Sequence, residues 1–357
     1  MNKALSARFL IMGMLVTGAS VGRLAADIAQ WSRLYYHNLS NAERAQLQTR
    51  SKNVFIKEFR FPVTQMLLSW NALRPHHGYL SFSIQVRDQA TGRWSDWMHA
   101  AEWGAGVQRS FHTEPLFGPT FNNVRLDMPS HHLADACRVA VQAHGGASLA
   151  LLYRISVAAA DFYRFTSEVN RHINAPSIDI KGIPLISQMR LDHADRHRIC
   201  SPTSLCMVVS YLNDHQENPE QFADGVYDYG LAQYGSWPFN VAHAFSRVAG
   251  RAYFSVVRLN SFEQLYAYLR KGLPVVVSVR LRGRQRLPGM PQGHTYHDGH
   301  LMVVVGWDNV HKCVRCLDPA QPQNNRVPTC YPLKNFLAAW ENPASPRLAY
   351  VADWREE

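Results

Sequence analysis

The sequence predicts two regions of different fold class, an all-β sandwich domain followed by an α+β domain. From about residue 53 to 160, short alternating apolar runs are broken by turn residues, as in an antiparallel sandwich. After residue 180, helical patterns come first and strands rich in β-branched residues follow, which is typical of a two-layer α+β domain. The length of 357 residues also favours two domains over one.

Residues 1–26 predict an export signal. Lys3 and Arg8 precede "FLIMGMLVTG", an apolar run of about ten residues, and small residues follow it. The alternative, an uncleaved membrane anchor, is less favoured because the run is short for a bilayer span. We therefore expect an exported protein, periplasmic or secreted. Residues 27–52 follow as a polar, partly helical lead-in.

The sandwich is predicted over residues 53–160, from the runs "QMLLSWNA", "YLSFSIQVRD", "GRWSDWMHA", "NVRLDM", "CRVAVQAHG" and "SLALLYRISVAA". Four tryptophans lie in it, at Trp70, Trp94, Trp97 and Trp103. Core filling is the favoured role for them, and a sugar-stacking platform that would contact cell-wall glycan is the alternative. Residues 161–179 have weak periodicity and are predicted to be the linker.

The second domain is predicted over residues 180–357. Its helices are expected from Cys200 onward and in "PEQFADGVYDYG", "WPFNVAHAFSRVAG", "SFEQLYAYLRKG" and "PLKNFLAAWE". Its strands are expected in "PVVVSVRL", "HLMVVVGWD", "KCVRCLD" and "RLAYVADW". This order predicts helices packed on an antiparallel sheet.

Charge and cysteine spacing give no sign of a nucleic-acid partner, a disulfide framework or a metal site. The formal net charge is +10, but the basic residues are scattered and no nucleic-acid motif organises them, so no nucleic-acid partner is expected. The spacing of the six cysteines shows no disulfide framework. Cys313 and Cys316 resemble half of a zinc site, but the residues between them lack the glycine or proline of a metal knuckle. We expect no metal and no cofactor, and the oligomeric state is left open.

Cys200 is the candidate nucleophile. It precedes Ser201, Pro202 and Thr203 at the start of the apolar run "LCMVVSYL", where the first turn of a helix is expected. Ser201 and Thr203 are expected to satisfy the free amides of that turn. A thiol at the positive end of a helix dipole has a stabilised thiolate, which makes it nucleophilic.

Three other residues complete a catalytic set with Cys200. His300 begins the predicted strand "HLMVVVGWD" and Asp318 ends the next one, so antiparallel pairing would bring them to the same end of the sheet. Asp318 could then orient the imidazole, whose other nitrogen would face Cys200. Gln188 precedes the helix, and its side-chain amide could form an oxyanion hole with the backbone N–H of Cys200.

His294 and His297 are rivals of His300 for the role of base. They lie in the loop "RGRQRLPGMPQGHTYHDG", whose glycines and prolines suit a flap on the substrate side. His300 is favoured because a strand holds its backbone more rigidly than a loop does. A metal site formed by the three histidines is a weaker alternative, since no helix supports their spacing.

The segments "IPLISQ", "CSPTSLCMVVSYL", "GHLMVVVGWD" and "LDPA" resemble the papain-like cysteine peptidases related to the bacteriocin-processing peptidase domain, in their stand-alone, transporter-free branch. The preceding "LSWNA", "RWSDW", "EWG" and "RSF" are similar to the β-sandwich that accompanies some of these proteins. The resemblance implies a papain-like α+β domain with Cys200 as nucleophile, His300 as base, Asp318 as orienting acid and Gln188 as oxyanion donor.

Two departures limit what the resemblance implies. Ile199 occupies a position that is commonly glycine or an aromatic residue in such sequences. No ATP-binding cassette pattern follows, so cleavage of leader peptides after a double glycine is not carried over. We expect a cysteine peptidase or amide hydrolase acting on peptide or protein substrates. The alternatives are an acyl-transferring enzyme with the same residues and an inactive relative that binds peptide or glycan outside the cell.

Overall fold

The computed structural model describes residues 30–114, 118–122, 124–283 and 285–355. The predicted export signal therefore lies outside the described residues. The N-terminal region contains one helix, α1, at Asn41–Leu47. Its strands are β1 (Ser32–Asn38), β2 (Lys52–Val63), β3 (Gln65–Ala72), β4 (Tyr79–Asp88), β5 (Met98–Gly104), β6 (Gln108–Ser110), β7 (Thr120–Asn122), β8 (Arg125–Asp127), β9 (Ala134–His144) and β10 (Leu152–Ala160).

These strands form two antiparallel five-stranded sheets, with the orders β1-β10-β3-β8-β7 and β2-β9-β4-β5-β6. Side chains from both sheets share one hydrophobic core, in which Trp70 of β3 stacks on Phe82 of β4. Trp70 and Trp103 are fully buried and fill this core, as favoured from the sequence, whereas Trp97 is exposed. A glycan contact through the exposed ring stays a prediction.

The polar lead-in contributes more to the fold than the sequence indicated. It contains α1, but it also contains β1, which pairs with β10 along its whole length, from Ser32 opposite Ala160 to Asn38 opposite Arg154. The strand was missed because its polar residues show no clear alternation. The first sheet therefore begins about twenty residues before the boundary predicted for the sandwich.

The C-terminal region has a mixed α/β fold. Its helices are α2 (Cys200–Asn213), α3 (Pro219–Asp224), α4 (Trp237–Arg247), α5 (Phe262–Arg270) and α6 (Leu333–Trp340). Its strands are β11 (Ile178–Asp179), β12 (Ala252–Arg258), β13 (Val275–Val279), β14 (His300–Asp308), β15 (Cys313–Leu317), β16 (Pro328–Pro332) and β17 (Leu348–Trp354). They form an antiparallel sheet of order β12-β17-β13-β14-β15-β16, and β11 pairs with β14.

The sequence located the five helices of this region and four of its seven strands, but it missed β11, β16 and the longer β12. Strand β12 follows α4 closely and is buried at every position, so it has no alternation to distinguish it from a helical segment. Strand β12 lies at the edge of the sheet and contacts β3 of the N-terminal region. It is therefore one of the elements through which the two regions meet, together with α4.

The two regions share both apolar and polar contacts. Phe239 and Ala242 of α4 belong to the N-terminal core, and Phe239 packs against Trp70 with ring centroids 5.7 Å apart. The Asn71 side chain accepts from Phe254 N at 2.7 Å and donates to Phe254 O at 2.8 Å, which satisfies a buried backbone position of β12. The regions are thus joined by a continuous buried interface.

Within the described part of the chain, no helix combines the length and the apolar character needed to cross a bilayer.

Candidate active site

Cys200 is the first residue of α2, as the sequence predicted. The expected capping is wrong, because no side chain caps this helix end. Ser201 Oγ instead donates to Asn240 Oδ1 at 3.0 Å and shares a hydrogen bond of 2.9 Å with the hydroxyl of Tyr350. Thr203 Oγ1 is buried without a partner. Tertiary partners on α4 and β17 have taken the place of local capping, and they fix the start of the helix against the sheet.

His300 is held close to this helix end. It is the first residue of β14, and the next residue, Leu301, accepts a hydrogen bond of 3.0 Å from Ser204 Oγ of α2. This bond locks the register between the helix that carries Cys200 and the strand that carries His300. Gly299, just before the strand, has a φ of +96°, a backbone conformation that only glycine adopts easily.

Asp318 follows β15 and is completely buried. Its Oδ1 lies 2.7 Å from Nε2 of His300. Antiparallel pairing of β14 with β15, with Val303 opposite Leu317, brings the two side chains to the same end of the sheet. The second ring nitrogen of His300, Nδ1, remains available to Cys200.

The charges of these three residues shift their pKa values together. Burial favours the neutral thiol of Cys200, but the hydrogen bond and charge of His300 outweigh it, so the pKa of Cys200 is lowered. Burial alone would lower the pKa of His300, yet the charge and hydrogen bond of Asp318 raise it to about 10. Burial would raise the pKa of Asp318, and the charge and hydrogen bond of His300 lower it instead. The three shifts favour a thiolate–imidazolium pair beside a carboxylate.

Cys200 differs in this respect from the other thiols. Burial raises the pKa of Cys137 and of Cys206 to about 12, and it also raises the pKa of Cys316. Cys200 is half-buried and the other three free cysteines are buried. A lowered pKa together with partial exposure is the combination expected of a reactive thiol.

Tyr296 and Tyr331 surround the carboxylate of Asp318 and were missed from the sequence. Their hydroxyls donate to Asp318 Oδ2 at 2.9 Å and 2.7 Å, and Ala320 N donates to Oδ1 at 3.0 Å. The Tyr296 ring also stacks on the His300 ring, with centroids 4.0 Å apart and an interplanar angle of 13°. Tyr296 has a φ of +51°, an uncommon backbone conformation for a bulky residue. The sequence spacing of Tyr296 and Tyr331 shows no pattern that would place them beside Asp318, so the sequence did not predict them.

Gln188 lies in the same site. It begins the short 3₁₀ turn Gln188–Arg190 and is almost fully buried. Its Nε2 donates to the carbonyl oxygen of Arg196 at 2.7 Å, while its Oε1 is buried without a partner. Its backbone N–H donates to the carbonyl oxygen of Pro319 at 2.9 Å, next to Asp318. One hydrogen of the side-chain amide is thus occupied, and the other remains free to donate.

The rival histidines lie on the loop before β14. His297 is exposed, and its Nε2 lies 3.1 Å from the carbonyl oxygen of Gly283. His294 and His297 both line the cavity, but no hydrogen bond joins either ring to a described carboxylate. Of the three histidines, His300 is the one that lies between Cys200 and Asp318. The role of each residue in catalysis stays a prediction.

Cys200, His300 and Gln188 line one cavity of about 890 Å³. Residues 293–299, the last part of the loop 282–299 that the sequence predicted to be a substrate-side flap, form part of its wall. Val124 and Arg125, from the hairpin of β7 and β8, also line it. The N-terminal region therefore contributes directly to the surroundings of the candidate nucleophile.

The cysteine prediction needs one correction. Cys313 and Cys330 form a disulfide between the adjacent strands β15 and β16, although the spacing showed no framework. Sequence separation does not reveal which strands pair, so this bond could not be read from spacing. The zinc half-site of Cys313 and Cys316 is thereby excluded, since Cys313 is already bonded. The described residues contain no group of three or more ligands suited to a metal.

A half-buried cysteine at a helix start, a buried histidine and a buried aspartate define the class of the papain-like thiol hydrolases. Residues 180–345 match the model of the Peptidase_C39-like family. This region of the chain is thus related to the C39-like cysteine peptidases, as the sequence resemblance indicated.

Two solved structures are similar to about half of this chain. A protein from Bacillus anthracis described as a C39-like peptidase is 18% identical, with 51% of this chain and 100% of that chain covered and a TM-score of 0.39. Xylellain, a cysteine protease from Xylella fastidiosa, is 15% identical, with 54% and 91% covered and a TM-score of 0.32. No curated protein matches the sequence.

Proposed function

We propose that the C-terminal region hydrolyses peptide bonds through Cys200, His300 and Asp318. The observation that carries the proposal is the ordered contact of these three residues beside one large cavity, with a lowered pKa at the thiol and a raised pKa at the imidazole. The match of residues 180–345 to the C39-like peptidases supports a peptide substrate.

Each residue has a chemical step in this proposal. The Cys200 thiolate attacks the carbonyl carbon, and the resulting oxyanion accepts hydrogen bonds from the Cys200 backbone N–H and the free N–H of Gln188. His300 donates its proton to the departing amine, which leaves a thioester on Cys200. His300 then takes a proton from water, whose oxygen attacks the thioester and releases the carboxylic acid. Asp318 keeps the imidazole ring oriented through both steps.

Labelling with iodoacetamide near neutral pH tests the nucleophile. Cys200 should react much faster than Cys206, which lies on the same helix with a raised pKa. In parallel, Cys200→Ala should abolish cleavage of a mixed-sequence peptide pool, while Cys206→Ala, the matched control, should keep it. Equal labelling of the two thiols, or cleavage that survives Cys200→Ala, would show that the assignment is wrong.

We also propose that the protein is exported. The apolar run near the start of the chain supports this, and so does the Cys313–Cys330 disulfide, because disulfides persist in oxidising compartments. Fractionation of cells that express the full chain tests it. Recovery of the protein in the cytoplasm with Cys313 and Cys330 as free thiols would contradict the proposal.

A further inference from the structure

The cavity beside Cys200 contains an arginine that the catalytic steps do not use. Arg280 follows the last residue of β13, Val279, which is paired with His300 across the sheet. Arg280 and Ser278 are two residues apart and both line the cavity. Arg280 thus belongs to the wall of the substrate site, one residue beyond the pair that contains His300.

The charge of Arg280 is not compensated by a neighbouring acid. Among the described residues, no ion pair of 4.0 Å or less joins its guanidinium to a carboxylate, and its Nε is buried without a hydrogen-bond partner. The other arginines of the cavity differ. Arg125 Nε lies 2.8 Å from Asp127 Oδ2, and Arg198 Nη1 lies 3.7 Å from Asp195 Oδ1. Asp298 is the acid among the described cavity-lining residues, and no ion pair joins it to Arg280.

Ser345 provides a second unused donor in the same cavity. Its Oγ is buried and has no hydrogen-bond partner. The segment that carries it is tied to Arg280, because Asn342 Nδ2 donates to the Arg280 carbonyl oxygen at 3.3 Å. Buried polar atoms are normally paired, so Arg280 and Ser345 each leave one donor unused in the wall of this cavity.

We propose that Arg280 and Ser345 form an anionic subsite that binds a carboxylate of the substrate. A guanidinium presents a planar fork of N–H donors that matches the two oxygens of a carboxylate, and a hydroxyl adds a third donor. The proposal rests on the proposed peptidase function and adds its substrate class, peptides with a carboxylate near the scissile bond. That carboxylate belongs either to an Asp or Glu side chain or to the C-terminus of the peptide.

Matched peptide pools test the subsite and separate the two sources. One pair of labelled mixed-sequence pools differs by Glu against Gln at each position in turn, and a second pair differs by a free C-terminal carboxylate against an amide. The wild type should show at least a tenfold higher kcat/KM for the carboxylate member of one pair. A Glu preference identifies a side chain, and a preference for the free terminus identifies the C-terminal carboxylate. Equal kcat/KM values within both pairs would overturn the proposal.

Variants show whether Arg280 causes the preference. Arg280→Gln should bring the ratio of the two kcat/KM values close to one, and Arg280→Lys should leave an intermediate ratio because it keeps the charge without the fork. Ser345→Ala should reduce the ratio less than Arg280→Gln does. Arg282→Gln is the matched control, since Arg282 is exposed and lies outside the cavity lining. A preference that persists in Arg280→Gln would also overturn the proposal.

Binding distinguishes this failure from a failure of the peptidase function. The same pools are titrated against Cys200→Ala, with and without Arg280→Gln, and the Kd values are compared. If the wild type cleaves no peptide but Cys200→Ala binds the carboxylate pools more tightly in an Arg280-dependent way, the subsite holds and the peptidase proposal fails. If peptides are cleaved but neither cleavage nor binding favours a carboxylate, the subsite proposal is rejected and the peptidase proposal stands. If the protein shows no cleavage and no preferential binding, both proposals are rejected.

Discussion

Asp318 and Asp228 are both fully buried carboxylates, but their partners are of different kinds. Asp318 contacts one ionisable ring, His300, together with two tyrosine hydroxyls. Asp228 lies where the two regions of the chain meet, and its partners are neutral. It accepts from Ser110 N at 2.9 Å, Ser110 Oγ at 2.6 Å and Gly230 N at 2.9 Å, and also from Ser236 Oγ and Leu231 N.

The comparison shows two uses of a buried negative charge. At Asp318 the charge acts on a neighbour, since it raises the pKa of His300 to about 10. At Asp228 it organises backbone and hydroxyl donors, and it ties the segment 228–236 to β6. Gln233, Tyr234 and Gly235 of that segment line the cavity with Cys200. One carboxylate therefore shifts the pKa of the candidate base, and the other holds part of the cavity wall.

The largest expected effect is at the partner of Asp318. His300→Ala should reduce kcat by about 10²–10⁴, the range for a positioned acid–base group. His297→Ala is the control, because His297 is exposed and contacts a backbone carbonyl. Steady-state kinetics on the peptide pool measures both variants. Similar losses from the two changes would show that His300 is not the base.

Replacing Asp318 should be the next most severe change, and it should alter the pH profile. The active pair needs a thiolate, present above the lowered pKa of Cys200, and an imidazolium, present below the raised pKa of His300. The kcat/KM of the wild type should therefore fall on the acid side as Cys200 is protonated and on the alkaline side near pH 10.

Asp318→Asn removes the charge that raises the pKa of His300, so the alkaline limb should move to lower pH. The variant should also lose on the order of 10² in kcat/KM, at the lower end of the range for a positioned acid–base group. An alkaline limb that stays in place would mean that Asp318 does not control the protonation of His300.

The tyrosines should have smaller effects. Tyr331→Phe leaves Asp318 Oδ2 with one donor fewer, and loss of a hydrogen bond to a charged group costs about 1.5–3 kcal/mol of stability. Thermal unfolding measures this loss. Tyr296→Phe should cost a similar amount while keeping the ring on His300, whereas Tyr296→Leu should in addition lower kcat. If Phe and Leu at position 296 have the same kcat, the stacked ring has no role in positioning His300.

Of the variants considered, Asp228→Asn should change activity least, but it should clearly lower the free energy of unfolding. The amide can no longer accept from all five donors, so one or more is left unpaired at a cost of about 1–3 kcal/mol. We expect a higher KM, because the segment 228–236 is held less firmly, with little change in kcat or in the pH limbs. Urea unfolding and steady-state kinetics check both parts. If the alkaline limb of the kcat/KM profile also shifted in this variant, Asp228 would influence the pKa of His300 as Asp318 does, and the two carboxylates would not differ in this respect.

The residues that the sequence placed best are those with a local signature. The start of α2 at Cys200, the start of β14 at His300 and the end of β15 before Asp318 all follow from apolar runs with sharp ends. The close contact of His300 with Asp318 then follows from antiparallel pairing of two consecutive strands. Local pattern and simple topology were enough for this part of the site.

The residues that it missed depend on distant partners. Ser201 bonds to Asn240 and Tyr350 instead of capping its helix, because side chains 39 and 149 residues away compete for it. Tyr296 and Tyr331 approach Asp318 only after loop and sheet have formed. Strand β1 forms because it pairs with β10, and its own polar sequence does not indicate a strand. Tertiary contacts decided each of these cases.

Phe239 also bears on how far this protein can be divided. In chain order it belongs to the C-terminal region, but it packs against Trp70 in the core of the N-terminal one. A fragment that begins at residue 180 would expose this ring and would leave both backbone groups of Phe254 without the Asn71 side chain. Each part therefore supplies something to the interior of the other, an aromatic ring in one direction and a side-chain amide in the other, so a cut between them would expose buried groups on both sides.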